Sequence, residues 1–254
     1  MNDLNCFNES CLNGLNEAQL TAVTAPMQHL LILAGAGSGK TKVLVNRIAY
    51  LIHTQQVTLD SVLAVTFTNK AAGEMKTRLA VLLERSVSDL WMGTFHGICH
   101  RLLRRHHQAA KLPEAFQILD SDDQARMIKR VMADLQLDSE QWPIKQAQSF
   151  INSNKDEGLR PQQVPAPNFG PAKIWLQIYH AYEQACQIAG VIDFAEILLR
   201  TYELLRDDPH LLAHYQRRFQ IILVDEFQDT NTIQYAWIRL LAGQQAKVMV
   251  VGDD

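Results

Sequence analysis

The sequence has few features of secreted, disulfide-stabilised or membrane proteins. Its four cysteines, Cys6, Cys11, Cys99 and Cys186, are scattered through 254 residues without a disulfide or zinc spacing. The polar segment 1–13 lacks the basic start and apolar block of a signal peptide. No apolar run approaches the roughly 20 residues that span a bilayer. We therefore predict a cytoplasmic protein that does not contact membranes.

The sequence also lacks an excess of positive charge. The formal net charge is −3, so there is no global basic field that would attract nucleic acid. Hydrophobic residues make up 47% of the chain and charged residues 20%, as in ordinary globular proteins. Any contact with nucleic acid must therefore depend on local groups.

Five short apolar runs, rich in β-branched residues and without polar alternation, predict buried strands. The first two are each followed by an amphipathic helical pattern, over 43–52 and 68–83. Such alternation predicts an α/β fold with a parallel, doubly wound sheet. The five runs are 30–33, 62–66, 90–94, 221–224 and 248–251.

Strand patterns disappear between about residue 98 and residue 214, where helix signals dominate. Several prolines and glycines between 161 and 171 mark one long loop there. We predict an α/β domain over 1–97 and 215–254, interrupted by an inserted, mostly α-helical domain over 98–214.

The most specific motif is a glycine-rich loop between the first strand and its helix, the context that a phosphate-binding P-loop requires. Its glycines let backbone N–H groups converge on one anion, and the helix adds its positive end. Lys40 is predicted to contact the β- and γ-phosphates of ATP, and Thr41 to bind Mg²⁺. The loop consists of Ala34, Gly35, Ala36, Gly37, Ser38, Gly39, Lys40 and Thr41.

A second acidic motif follows the strand 221–224, with Asp225 and Glu226 at its carboxyl end. The carboxyl ends of parallel strands line the ligand crevice. We therefore predict Asp225 as a Mg²⁺ ligand and Glu226 as the general base for the attacking water, with Lys40 as the third catalytic residue. Without the P-loop, the two carboxylates are equally well explained as a cap for the next helix.

Several ordered motifs together resemble the N-terminal half of a superfamily-one DNA helicase of the UvrD/Rep/PcrA type. The resemblance runs from about residue 15 to residue 254 and implies a RecA-like P-loop NTPase domain with a helical insertion. It implies an ATP- and Mg²⁺-dependent enzyme that binds single-stranded DNA and single/double-strand junctions. The segments that carry it are 15–19, the P-loop, 64–72, 93–96, 191–194, 224–231 and 251–254.

The resemblance also implies roles for individual residues. Gln19 resembles a glutamine that recognises the adenine base. A carboxamide suits this role because it can form hydrogen bonds with N6 and N7 of adenine. Exposed aromatic rings can stack on bases of any sequence, which suits a motor that moves along a strand. The residues that resemble DNA contacts are Phe67, Thr68, Asn69, Thr94, His96 and Phe194.

Three local interpretations stay open. Phe67 and Phe194 can equally be core residues. The basic segment 100–107 can follow the DNA backbone or form a solvated helix end. His96 and His100 have a helical zinc spacing, but a zinc site needs three or four converging ligands, so we predict no structural metal.

The full family pattern continues beyond residue 254 into a second motor lobe that carries arginine fingers. The resemblance therefore implies 3′→5′ unwinding in DNA repair for the parent protein, and little hydrolysis and no unwinding for these 254 residues alone. It allows repair proteins as partners but identifies none.

Two other functions are compatible with parts of the sequence. One is another P-loop enzyme, a kinase or a transporter ATPase, but the signatures of those families are missing. The other is a non-enzymatic single-strand-binding module, which conflicts with the complete nucleotide motifs.

Overall fold

The computed structural model describes residues 11–165 and 170–253. The N-terminal segment with Cys6, part of the predicted loop at 161–171 and Asp254 lie outside these residues. The described chain divides into two compact units. The first unit comprises residues 11–98, 208–230 and 238–253, and the second comprises 99–165, 170–207 and 231–237.

Helices and strands alternate through most of the chain. The strands are β1 (Leu30–Leu33), β2 (Val62–Thr66), β3 (Trp91–Thr94), β4 (Gln117–Ile118), β5 (Val191–Ile192), β6 (Ile221–Val224) and β7 (Lys247–Gly252). The helices are α1 (Glu17–Thr24), α2 (Lys40–His53), α3 (Asn69–Leu83), α4 (Phe95–Arg105), α5 (Ser121–Asp134), α6 (Ile144–Asp156), α7 (Pro171–Ala189), α8 (Phe194–Asp207), α9 (Pro209–Arg218) and α10 (Thr232–Ala242).

The first unit is built on a parallel five-stranded sheet in the order β1-β7-β6-β2-β3. The five predicted strands are all present, and the mixed α/β class with a parallel sheet is confirmed. In the register of the sheet, Val65 lies opposite Val224, and Leu33 opposite Gly252. The carboxyl ends of β1, β2, β6 and β7 therefore lie along one edge, where side chains from distant segments meet.

Burial of β1 differs from the prediction of fully buried strands. Strands β2 and β6 are buried along their whole length, but in β1 Leu31 is 64% exposed and Leu33 is 56% exposed. Leu30 and Ile32 pack against the core. An apolar run alone does not reveal whether both faces of a strand are covered, and in the described residues one face of β1 is not.

The second unit is mainly helical. Strands β4 and β5 form a two-stranded parallel sheet that the sequence did not predict, with Ile118 opposite Ile192. Helices α5, α6 and α7 enclose an apolar core that includes Ile128, Ile151 and Tyr179. Among the described residues of both units, no helix is long and apolar enough to cross a bilayer.

The second unit also buries charge. We call the following residues the ion-pair cluster: Lys155, Arg160, Glu183, Asp193, Glu196, Arg200 and Glu203. Lys155 Nζ lies 2.7 Å from Glu183 Oε1, 2.7 Å from Asp193 Oδ2 and 2.9 Å from Glu196 Oε2. Asp193 Oδ1 also accepts the backbone N–H of Glu196, which caps the first turn of α8.

Candidate functional site

The glycine-rich loop connects β1 to α2 and starts beside β7, because Ala34 N donates to Gly252 O at 3.1 Å. Gly37 has φ +77° and Gly39 has φ +87°, the left-handed region in which side chains are strained. A Cβ at Gly39 would also lie 2.8 Å from Gln19 Nε2. The glycine at this position therefore allows both the turn into α2 and the close approach of α1.

The first residue of α2, Lys40, turns its side chain back over the loop. Nζ donates to Ala34 O at 3.0 Å and to Gly35 O at 3.4 Å, and it also contacts the Asp253 carboxylate. The hydrogen bond to Asp253 raises the pKa of Lys40 above its ordinary value, although partial desolvation opposes it. The loop therefore holds a positive charge whose main anionic partner is a side chain that is 44% exposed.

The next residue, Thr41, links the loop to the acidic motif. Its Oγ1 donates to Asp225 Oδ2 at 3.3 Å. Asp225 is only 2% exposed, and its Oδ1 has no hydrogen-bond partner among the described residues. Burial raises the pKa of Asp225, and the neighbouring Glu226 carboxylate adds to the rise. The structure thus brings together the two motifs that the sequence predicted on one crevice.

The donors at this point fit Mg²⁺. A hydroxyl and a carboxylate are the hard oxygen ligands that Mg²⁺ prefers, and it commonly uses one or two carboxylates together with substrate phosphates. The buried, unpartnered Oδ1 of Asp225 is the group that such a cation would satisfy. Within the described ranges, no three His, Cys, Asp or Glu side chains form a metal-binding group.

Glu226 has an unusual backbone for a glutamate, with φ +52°. Left-handed backbone at a residue other than glycine costs about 1–3 kcal/mol and often occurs at functional sites. Glu226 Oε2 accepts from Gln228 Nε2 at 2.8 Å, and Gln228 Oε1 accepts from Asp253 N at 3.2 Å. Gln228 therefore ties the second carboxylate to the end of β7.

Gln19 lies against the loop from the side of α1. Its Oε1 accepts from Asn16 N at 3.1 Å, and its Nε2 donates to Ser38 O at 2.9 Å. Behind it, the fully buried Arg47 donates from Nη1 to Val23 O at 2.7 Å and from Nη2 to Pro26 O at 3.0 Å. Arg47 thus fixes the carboxyl end of α1 and, through it, the position of Gln19.

Sequence reasoning missed three of these groups: Arg47, Gln228 and Asp253. Gln228 and Asp253 belong to segments that carried the family resemblance, but nothing in the sequence indicated their contacts. Arg47 is spaced as an ordinary polar residue of an amphipathic helix. Arg47, Gln228 and Asp253 are recognised as parts of the site by contacts with residues far apart in the sequence. The exception is the hydrogen bond from Gln228 to Glu226, which joins near neighbours.

Three predicted DNA contacts lie directly after β2. Phe67 is half-buried, and its ring packs edge-on against Phe95 with 5.5 Å between centroids. Thr68 is exposed and caps α3, since its Oγ1 accepts from Ala71 N at 3.1 Å. Asn69 is exposed at the first position of α3. Phe67 thus shares features of a core residue and of a surface aromatic.

Two more predicted contacts lie at the end of β3 and in the first turn of α4. Thr94 Oγ1 accepts from Gly97 N at 3.0 Å. His96 is half-buried, and desolvation lowers its pKa to about 4. His96 is therefore neutral at pH 7, and it can offer a phosphate a hydrogen bond but no charge.

In the second unit, Phe194 begins α8 and is 58% exposed, so its ring is not part of a core.

Part of the basic segment 100–107 contacts neighbouring side chains. The Arg104 guanidinium lies 3.8 Å from the centroid of the Phe116 ring, and its Nε contacts His100 Nε2 at 3.0 Å. These contacts engage Arg104 and His100 within the second unit, near the carboxyl end of α4.

Comparison with known sequences now identifies the family. Residues 15–254 match the UvrD/REP helicase N-terminal domain.

The chain belongs to the UvrD/REP helicase N-terminal domain family.

Curated relatives agree with this result and with the resemblance of the motifs to helicases of the UvrD/Rep/PcrA type. DNA helicase II of Escherichia coli (strain K12) is 56% identical over 243 residues, covering 96% of this chain and 34% of the relative. ATP-dependent DNA helicase PcrA of Leuconostoc citreum is 40% identical over 247 residues, covering 96% of this chain and 33% of the relative. The PcrA of Bacillus subtilis (strain 168) is 38% identical over 251 residues, covering 98% and 34%.

The chain therefore spans about a third of the length of the curated relatives it matches. Membership in the UvrD/REP family is a property of the chain itself. Which reaction the whole protein performs, and which residues perform it, is a separate question that depends on the geometry described above.

Proposed function

We propose that this chain is the ATP-binding, single-strand-contacting part of an ATP-dependent 3′→5′ DNA helicase that acts in DNA repair in the cytoplasm. In this proposal the first unit is a RecA-like motor lobe and the second unit is a helical domain inserted into it. The observation that carries the proposal is the 3.3 Å contact between Thr41 and Asp225, which joins the P-loop to the acidic strand. The names of the UvrD and PcrA relatives support the same reaction class.

In this proposal, each side chain of the crevice has a defined task. Lys40 exchanges its contact with Asp253 for the β- and γ-phosphates, Gln19 binds the adenine edge, and Thr41 and Asp225 hold Mg²⁺. When bound, Mg²⁺ supplies positive charge that neutralises the phosphate oxygens. Glu226 orients the attacking water and accepts its proton, which is worth about 10²–10⁴-fold in rate.

The DNA contacts follow the same division of the chain. The proposed contacts of the first unit are Phe67, Thr68, Asn69, Thr94 and His96. The proposed contact of the second unit is Phe194. Aromatic stacking on bases contributes about 1–3 kcal/mol per base and tolerates any sequence. Single/double-strand junctions are the expected DNA structure, and no described residue specifies a protein partner.

On its own, this chain is expected to bind ATP and single strands, to hydrolyse ATP slowly and not to unwind DNA. It spans about a third of its relatives, and phosphoryl transfer of this kind gains about 10³–10⁵-fold from an arginine finger supplied elsewhere. Translocation also requires two lobes that close and open on the nucleotide.

A titration with a fluorescent ATP analogue, with and without Mg²⁺, tests the nucleotide site. The unaltered chain should bind more tightly with Mg²⁺, and Asp225→Asn should abolish that difference because an amide is a poor ligand for Mg²⁺. Asp229→Asn is the matched control, since Asp229 is an exposed carboxylate three residues before α10. Equal Mg²⁺ dependence in the unaltered chain and in Asp225→Asn would show that the metal assignment is wrong.

A further inference from the structure

A cavity of about 480 Å³ opens beside Phe194 in the second unit. Its walls come from β4, α5, α6 and the start of α8, and they include Ile118, Gln124, Gln148 and Asn152. Its volume lies within the range of about 300–1,000 Å³ that is typical of small-molecule pockets. The cavity therefore combines an exposed aromatic ring with a row of side-chain amides.

The innermost amide, Gln124, is satisfied by the protein. It is 4% exposed, its Nε2 donates to Asn152 Oδ1 at 2.8 Å, and its Oε1 accepts from Gln148 Nε2 at 2.9 Å. Its Nε2 also lies 3.4 Å from Asp193 Oδ2 of the ion-pair cluster. Gln124 thus fixes the orientation of the two amides on either side of it.

The two outer amides keep hydrogen-bonding capacity. Gln148 uses Nε2 for Gln124 and for Ser121 O at 3.0 Å, and within the described residues its Oε1 accepts no hydrogen bond. Asn152 uses Oδ1 for Gln124, and its Nδ2 has only a long contact of 3.5 Å with Gln124 Oε1. One acceptor and one donor therefore remain available on residues that line the cavity.

The charge of the cavity indicates which part of a nucleotide it suits. The described residues of its lining include no lysine or arginine, and Asp120 is the charged residue among them. A phosphate is therefore disfavoured, whereas a planar base can stack on the ring and offer its own donor and acceptor edges. Asn and Gln side chains pair readily with such edges.

We propose that this cavity is a pocket for one unstacked nucleobase of single-stranded DNA, which stacks on Phe194 and hydrogen-bonds to Gln148 Oε1 and Asn152 Nδ2. The inference rests on the proposed single-strand contact of Phe194 and deepens it. Stacking accounts for affinity, and the two amides make binding depend on the edge of the base at one position of the strand.

The test scans a homothymidine oligonucleotide with difluorotoluene, a thymine isostere that keeps the shape of the base but hydrogen-bonds poorly. Fluorescence anisotropy with the complete chain should show one position at which the replacement weakens binding about 3- to 30-fold, as expected for one or two hydrogen bonds. Gln148→Ala combined with Asn152→Ala should remove that difference. Gln146→Ala, an exposed glutamine on the same helix that does not line the cavity, should retain it.

A second variant keeps the test valid if the double variant does not fold. Asn152→Asp retains an acceptor for Gln124 but replaces the donor, so it should also lose discrimination at the scanned position. Equal binding of both oligonucleotides at every position, or discrimination that survives in Asn152→Asp and in a folded double variant, overturns the pocket. If Phe67→Ala and Phe194→Ala both leave oligonucleotide affinity unchanged, the single-strand function itself fails; if these two weaken binding and the amide variants do not, only the pocket fails.

Discussion

The crevice of the first unit, formed by Lys40, Thr41, Asp225 and Glu226, and the ion-pair cluster of the second unit both remove charge from water, but they satisfy that charge differently. In the ion-pair cluster Lys155 has three carboxylate partners within 2.9 Å. In the crevice Asp225 Oδ1 has no partner in the described chain. A buried charge that is fully paired inside the protein supports the fold, whereas one that is incompletely paired is available to a ligand.

The pKa directions follow the same contrast. The carboxylates around Lys155 raise its pKa well above the ordinary value despite the opposing effect of burial, and the cations around Glu196 lower the pKa of that carboxyl. Burial instead raises the pKa of Asp225, because no cation compensates it fully. The ion-pair cluster thus stabilises the charged forms of Lys155 and Glu196, whereas in the crevice burial destabilises the charged form of Asp225.

The largest expected effect comes from breaking the ion-pair cluster. Lys155→Met leaves Asp193, Glu183 and Glu196 without their shared cation, and loss of one partner from a buried group of this kind costs about 3–5 kcal/mol. Chemical denaturation should show this decrease in the free energy of unfolding. Arg126→Met removes an exposed pair with Asp123 in the same unit and should cause no clear change. Equal stability of the two variants would contradict the contrast drawn here.

In the crevice, loss of charge should affect binding instead of folding. Lys40→Met removes the cation that we propose binds the phosphates, so calorimetry should show Mg-ATP binding about 10- to 100-fold weaker, with the unfolding transition nearly unchanged. Lys70→Met, on an exposed lysine at the start of α3, is the control. Full nucleotide affinity in Lys40→Met would remove the P-loop assignment.

His96 extends the comparison to pH. Its folded pKa of about 4 lies below the ordinary 6.5, so the unfolded chain binds the proton more readily between these values. Its contribution to stability is therefore complete above pH 6.5 and is lost as pH falls toward 4, by about 1–2 kcal/mol after allowance for partial exposure. Chemical denaturation of the unaltered chain and of His96→Asn at several pH values measures the free energy of unfolding of each. The difference between the two free energies should change between pH 6.5 and pH 4. A difference that stays constant would show that His96 does not titrate in this way.

The smallest effect concerns the two phenylalanines. Phe67→Ala should cost about 1 kcal/mol of stability because the ring packs against Phe95, whereas Phe194→Ala should cost less than about 0.5 kcal/mol because the ring is mostly exposed. Both should weaken oligonucleotide binding in anisotropy titrations. A larger stability loss for Phe194→Ala would show that its ring is structural.

The sequence was most informative where the signal is local. The limits of β2 and β6 follow from short apolar runs, and the glycine-rich loop before α2 follows from glycines at fixed spacing before a helix. The two-residue strands β4 and β5 escaped prediction, because two residues are too few for a periodic pattern. For Asp225, the position at the end of a strand and beside the glycine-rich loop could be predicted, but its orphaned Oδ1 could not.

The sequence by itself determined the five strands of the larger sheet, the helices after the first two of them, the family and the positions of the candidate nucleotide-binding residues, since each has a signal in consecutive residues of the chain. Only the tertiary structure decided that the Asp253 carboxylate contacts Lys40 Nζ, that Lys155 Nζ lies among three carboxylates and that side-chain amides line a cavity beside Phe194. These features join residues far apart along the chain, and their charge and hydrogen-bonding state exists only once the chain has folded around them.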